Sequence, residues 1–441
     1  MKRTTALLIL VPTFALASVI VAGPSIKGPS ANAAPQFQAA AKPDKKPDAE
    51  PAYEKVPDQY IVVFKDDVAD PEAAADDLGV KHGLGVTQKY KHAMKGFAAV
   101  ITSDKLDRVR GDARVDFISE DRVVTATAAK KPVPPPSTQS LPTGIDRINA
   151  ENKTNKGAGV NVAVIDTGID LTHPDLQANI VGGKNCLSGK TYADGNGHGT
   201  HVAGTIAAID NTAGVVGVAP AAKLWAVRVL DNSGSGTWSS VICGLDFVTS
   251  NAPANGGPIK VANMSLSGGG TSDNNCGNTN ADALHKAVCR ARNAGVTIVV
   301  AAGNSGLDAA TSVPAAYDDA VITVSALADS DGKVGGLGGT TGYGADDTFA
   351  SFSNFGAAVD IGAPGANINS TWMGGGYKAI SGTSMASPHV AGVAALYIAT
   401  HPLAPWTEVK QALMSVGEAL NAGHTDPSGK HPEPVLRADS F

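Results

Sequence analysis

Two hydrophobic rhythms alternate along the longer, carboxyl-terminal part of the chain. Predominantly apolar runs of strand length fall at residues 160–165, 224–230, 261–266, 296–301 and 320–324. Among and after them, apolar residues recur at helical spacing over 198–209, 238–248, 281–293, 384–400 and 406–415. A strand that is apolar on both sides must be covered on both sides. The alternation therefore predicts an α/β domain with a buried, mostly parallel sheet between helices. Crossovers in such a sheet are right-handed, and ligands collect beyond the carboxyl ends of its strands.

The amino-terminal part has a different rhythm. Strands are expected at 59–65, 96–101, 115–118 and 123–124. Asp70 followed by Pro71 predicts a capped helix start, and Ser103 a second cap for a helix through Arg110. The order β-α-β-β-α-β suits a small open sandwich. An Ala-, Pro-, Lys- and Asp-rich stretch over 34–57 reads as a spacer without structure. A proline-rich stretch over 129–139 reads as an extended linker before the long domain, 140–441. At the start, Lys2 and Arg3 precede an apolar run over 6–22, broken by Pro12 and Thr13, and Ala31-Asn32-Ala33 follows. That order predicts an export signal over 1–33 and a secreted product without a stable membrane anchor.

A net charge of −6 argues against a nucleic-acid binder. The four cysteines, Cys186, Cys243, Cys276 and Cys289, are even in number and include no C-x-x-C pair. In an exported chain this favours disulfides over zinc. Cys276 with Cys289 and Cys186 with Cys243 is the preferred pairing, and the other two pairings stay open.

The candidate chemistry centres on Ser384, within Ser381-Gly382-Thr383-Ser384-Met385-Ala386-Ser387-Pro388-His389. A serine in the first turn of a helix sits among unpaired backbone N–H groups that favour negative charge. Gly382 lets a backbone approach closely, and Pro388 is expected in the helix's first turn. Taken alone, the stretch reads equally well as a helix cap with small packing residues. Two distant stretches change that reading. Val162-Ala163-Val164-Ile165-Asp166-Thr167-Gly168 is an apolar strand ending in a carboxylate. Asn196-Gly197-His198-Gly199-Thr200-His201 opens a helix with an imidazole. Serine, histidine and aspartate are the parts of a nucleophilic triad. An aspartic protease needs a second Asp-Thr-Gly, and an α/β-hydrolase needs Gly-x-Ser-x-Gly with the histidine last. The chain has neither.

These motifs, in this order, resemble the subtilisin family of serine endopeptidases, in its proteinase K-like and bacterial secreted branch; the order Asp, His, Ser is that family's known one. The resemblance extends over about 57–441. It implies a three-layer α/β/α peptidase domain preceded, over 58–128, by an α+β ferredoxin-like propeptide. The resemblance implies that this propeptide acts as intramolecular chaperone and inhibitor and is cleaved near Thr127 or Ala128. It implies Ser384 as nucleophile, His198 as general base, Asp166 as its orienting partner and His201 as structural. Asn304, in Ala302-Gly303-Asn304, is implied as oxyanion donor with the Ser384 N–H. Substrate edges are implied at Ser233-Gly234-Ser235-Gly236 and at Ser265-Leu266-Ser267-Gly268, with Ala302 and Gly303 beside them. Ser267 stands where the family has glycine. Ser312 is implied at the floor of the first specificity pocket, a small neutral floor that suits apolar and aromatic residues. A structural calcium ion is implied on the side chains of Gln139, Asp175 and Asn211 and the carbonyls of Ile209, Ala213 and Val215, with no organic cofactor. The glycine-rich insertion 329–348, with Asp346 and Asp347, has room for a second, weaker ion, which the resemblance does not assign. The expected partners are protein substrates and the chain's own propeptide, with no nucleic acid and no second copy.

Overall fold

The structure, a computed structural model, describes residues 54–126 and 138–441. The expected export signal, nearly all of the spacer, the cleavage point near Thr127 or Ala128 and nearly all of the linker lie outside the described residues. The first strand, Lys55–Phe64, starts four residues before the expected position and takes up the end of the spacer.

The amino-terminal unit is an antiparallel sheet in the order Gly85–Tyr90, Gly96–Val100, Lys55–Phe64, Val115–Thr125. Side chains alternate across a strand, and here each set has its own destination. Val62 and Phe64 pack with Phe97, Leu78 and Val109 under the two helices. Ile61, Val63 and Ala98 pack with Trp238, Val241 and Ile242 of the long domain. The helix Pro71–His82 begins as expected, with the Asp70 carboxylate accepting from the Ala73 N–H. The second helix, Ser103–Arg110, corrects the expected cap: Thr102 is the N-cap residue and Ser103 is already helical. The last strand also runs unbroken through its polar stretch. Asp121 there is buried, and its carboxylate accepts the Ser239 N–H at 3.0 Å.

The long domain is built on an eight-stranded sheet. The strands Ile322–Ala328, Thr297–Ala301, Ile259–Met264, Asn161–Asp166, Lys223–Arg228 and Ile180–Asn185 lie side by side, all parallel. Ile361–Pro364 also pairs parallel with Ile322–Ala328, and only Thr348–Phe349 is antiparallel. Ile180–Asn185 has no apolar run to announce it. A Cβ at Gly182 would lie 2.7 Å from the Trp225 ring, and one at Gly183 2.3 Å from the Ala226 carbonyl oxygen. Glycines there let the strand close on its neighbour. The helix Thr383–Thr400 is buried along nearly its whole length, and His198–Ala207 throughout. Disulfides join Cys186 to Cys243 and Cys276 to Cys289. Among the described residues, no helix is long and apolar enough to cross a membrane.

Candidate active site

Asp166 is the last residue of its strand and His198 the first of its helix. Gly197, just before, has φ 111° and offers no side-chain cap. The capping is supplied by Asp194, whose carboxylate accepts the Gly197 N–H at 2.9 Å, the Thr200 N–H at 3.0 Å and the Thr167 hydroxyl at 2.9 Å. Sequence reasoning passed over Asp194; an aspartate four residues ahead of the helix was its only signal. Asp194 thus ties the turn after the Asp166 strand to the start of the His198 helix. Nδ1 of His198 lies 2.9 Å from Oδ1 and 3.0 Å from Oδ2 of Asp166, and both side chains are buried. Burial disfavours the imidazolium, but the charge and hydrogen bond of Asp166 outweigh it, and the pKa of His198 stands above the ordinary histidine value. His201 is also buried. Its Nε2 meets the Ile368 carbonyl at 2.9 Å, and burial lowers its pKa to about 3.

Ser384 is the second residue of its helix. Its hydroxyl donates to the Ser265 carbonyl at 3.3 Å, and Nε2 of His198 is buried with no hydrogen-bond partner. The structure thus joins His198 to Asp166 and leaves the Ser384 hydroxyl turned to Ser265. Pro388 falls past the first turn, which corrects the expectation. With no N–H, it leaves the Ser384 carbonyl without its helical donor. The Ser265 hydroxyl fills that role at 2.8 Å. Asn304 is oriented by Thr383, whose N–H and hydroxyl donate to its Oδ1 at 2.8 and 3.0 Å. Its side-chain amide lies beside Gly382, with Nδ2 3.5 Å and Oδ1 3.7 Å from where a Cβ there would stand.

Both expected edges are paired, and the strand between them is the end of the amino-terminal unit. Val123, Val124 and Thr125 run antiparallel to Thr237, Gly236 and Ser235. On the other side, Thr125 and Ser267 exchange backbone hydrogen bonds of 3.0 and 3.1 Å. The Ala126 N–H then donates to the Gly234 carbonyl at 2.8 Å. A Cβ at Gly268 would meet the Val123 carbonyl oxygen at 2.8 Å, and one at Gly234 the Ala126 carbonyl oxygen at 3.1 Å. Serine at 267 leaves the edge intact, because pairing there is through the backbone. Ser233 sits in the turn before this edge and donates its hydroxyl to Asp231. Leu266 is buried. Ala302 and Gly303 are fixed by Asn354, which donates to one carbonyl through its side chain and to the other through its backbone N–H. Ser312 pairs with Gly269 and lies beside Gly303.

The amino-terminal unit is held by more than this strand. Asp246, on the helix Trp238–Ser250, accepts three successive backbone N–H groups, from Lys91, His92 and Ala93. Tyr90 donates its buried hydroxyl to the Ser239 carbonyl at 3.0 Å.

The six residues expected at a metal also converge. The Gln139 amide lies 3.1 Å from the Ile209 carbonyl and 3.5 Å from that of Val215. Asn211 lies 3.2 Å from Oδ1 of Asp175, whose Oδ2 accepts from the Val215 N–H and the Tyr377 hydroxyl. The Ala213 N–H donates to the Asn211 side chain. Turning the Gln139 amide would aim its oxygen at the same space as the Ile209 and Val215 carbonyls, beside the Asp175 carboxylate, and oxygen donors of this kind fit a hard cation such as calcium.

The chain is similar to known proteins over most of its length. Residues 157–428 match the model of the subtilase family, and residues 59–127 match that of peptidase inhibitor I9. The chain is 37% identical over 370 residues to subtilisin NAT of Bacillus subtilis subsp. natto, covering 82% of this chain and 86% of that protein. It is 38% identical over 400 residues to the cuticle-degrading protease of Metarhizium anisopliae, covering 89% and 88%. The crystal structure of a cold adapted subtilisin-like serine proteinase superposes with a TM-score of 0.56 at 37% identity, covering 68% of this chain and 98% of that one. The chain belongs to the subtilase family of serine peptidases and carries an I9-type inhibitory propeptide ahead of its subtilisin-like domain.

Proposed function

We propose that the chain is a secreted zymogen whose mature form cleaves protein substrates through Ser384, His198 and Asp166. The hydroxyl of Ser384 turns from Ser265 to His198 and attacks the scissile carbonyl, passing its proton to Nε2. Asp166 holds the imidazole with Nε2 as the acceptor and stabilises the imidazolium. The oxyanion takes hydrogen bonds from Nδ2 of Asn304 and the Ser384 N–H, and a donor of this kind is worth roughly 100- to 1000-fold in turnover, a value established for a subtilisin. His198 then gives its proton to the leaving amine, and water cleaves the acyl-enzyme.

One observation carries this reading. Residues 123–126 lie as a strand between the edges at 234–237 and 267, as a substrate adding to a sheet edge does. Ser265, bonded to Ser384, is two residues from one edge. Asn196, which reaches the Asn232 carbonyl at 3.0 Å, is two residues from His198. The propeptide therefore ends where a peptide would be cut, and we assign the cut to Thr127 or Ala128. On this reading 1–33 is the signal, 34–57 a spacer, 58–128 the propeptide, 129–139 a linker and 140–441 the enzyme. The enzyme acts as a monomer and accepts apolar and aromatic residues over Ser312. Gln139, Asp175, Ile209, Asn211, Ala213 and Val215 hold a calcium ion, which would tie the start of the mature chain to the loop after the His198 helix.

The test is the Ser384→Ala variant. We expect a full-length precursor that never matures alone and does not cleave casein. A variant that matured unaided and retained peptidase activity would overturn the assignment.

A further inference from the structure

The segment between the strands Ile322–Ala328 and Thr348–Phe349 gathers carboxylates that the peptidase reading does not use. One oxygen each from Asp329, Asp331 and Asp346 lies within 4.8 Å of the others. Asp329 and Asp346 are buried, at 2% and 6% exposure. The bordering cations are committed elsewhere. Arg147 pairs with Asp347 at 2.6 Å and Glu418 at 2.9 Å, and Lys333 turns out to Asp146 at 2.6 Å.

The loop is shaped around these groups. Asp346 accepts the Ser330 N–H and hydroxyl on Oδ1 and the Gly338 N–H on Oδ2. A Cβ at Gly338 would lie 2.9 Å from Oδ1 of Asp346, so only glycine closes the turn. Asp329 accepts the Gly332 N–H on Oδ1 at 3.0 Å. Its Oδ2 is buried and has no hydrogen-bond partner. A buried carboxylate oxygen without a donor, among other carboxylates, is costly unless a cation answers it.

We propose that Asp329, Asp331 and Asp346 bind a divalent cation, separate from the Asp175 loop. The donors are all hard oxygens and three carry charge, which selects calcium over zinc or copper. Backbone carbonyls and water complete the shell. The ion clamps the insertion across its own base, between the first and last thirds of the loop.

The mature protein is stripped with EDTA, dialysed and titrated with CaCl2 by calorimetry. Two binding events are expected in the wild type. Asp331→Asn removes one or weakens it roughly tenfold or more, since affinity follows ligand charge. It keeps the event that Asp175→Asn abolishes. Asp331→Glu restores much of the loss. Asp331 is only half-buried, so its variants test the site even where Asp329→Asn fails to fold. The proposal is overturned if Asp331→Asn and Asp329→Asn titrate like the wild type, or if the wild type shows a single event that Asp331→Asn leaves unchanged.

Discussion

His198 and Asp166 meet through Nδ1 at 2.9 Å with both side chains out of contact with solvent. That contact has a titration consequence. The raised pKa of His198 means that the neutral base is lost as pH falls through a value above the ordinary one for histidine. The acid limb of kcat/KM is therefore expected above pH 6.5. Asp166→Asn leaves burial as the dominant influence, so the limb should move to lower pH. It should also cut kcat roughly 10⁴-fold, the scale of a wrongly set tautomer in serine proteases. A pH–rate profile with an unshifted limb would separate Asp166 from the base.

Asp175 makes a second prediction. An ion bound only to the folded state stabilises it, by about 2.7 kcal/mol at a hundredfold excess over Kd. Excess EDTA should lower the Tm of the mature enzyme, and Asp175→Asn should make that difference smaller by the share its own ion supplies. Differential scanning calorimetry of both proteins, with calcium and with EDTA, is the check.

A third prediction concerns acid stability. His389 is buried, donates from Nδ1 to the Met385 carbonyl at 2.8 Å, and has its pKa lowered to about 4 by burial. His201 is lowered further, to about 3. Both are neutral in the fold, while the unfolded chain protonates them near pH 6.5. The unfolded state therefore binds more protons below that pH, and stability falls with falling pH. His389 alone accounts for about 3 kcal/mol between its two pKa values. In the Ser384→Ala precursor, which avoids self-digestion, His389→Gln should flatten the fall in Tm between pH 6.5 and 4. An unchanged slope would count against it.

The sequence made the layered domain legible because its strands are apolar on both sides and its helices periodic. It also brought Asp166 and His198 into view, since each sits at the end of a regular element. Contacts made across the chain were hidden. Gly182 and Gly183 form an edge strand only because Trp225 and the Ala226 carbonyl lie against them. Pro388 reads as a first-turn proline until the Ser265 hydroxyl is seen serving the carbonyl it leaves bare. Asp121 looks like an interruption until Ser239 satisfies it. Asp246 does its work on backbone N–H groups, and Asp194 in good part does too, and such groups carry no residue signature. The resemblance to a family supplied the expected substrate edges and the expected calcium ligands, which periodicity alone does not mark.

The central claim is that Ser384, activated by His198, is the nucleophile. Treating the mature enzyme with a serine-directed fluorophosphonate and mapping its peptides by mass spectrometry tests this most directly. The account predicts one covalent adduct, on Ser384, forming as activity is lost and absent from His198→Ala. An adduct on another serine, or equal labelling of Ser384 in the His198→Ala variant, would contradict it.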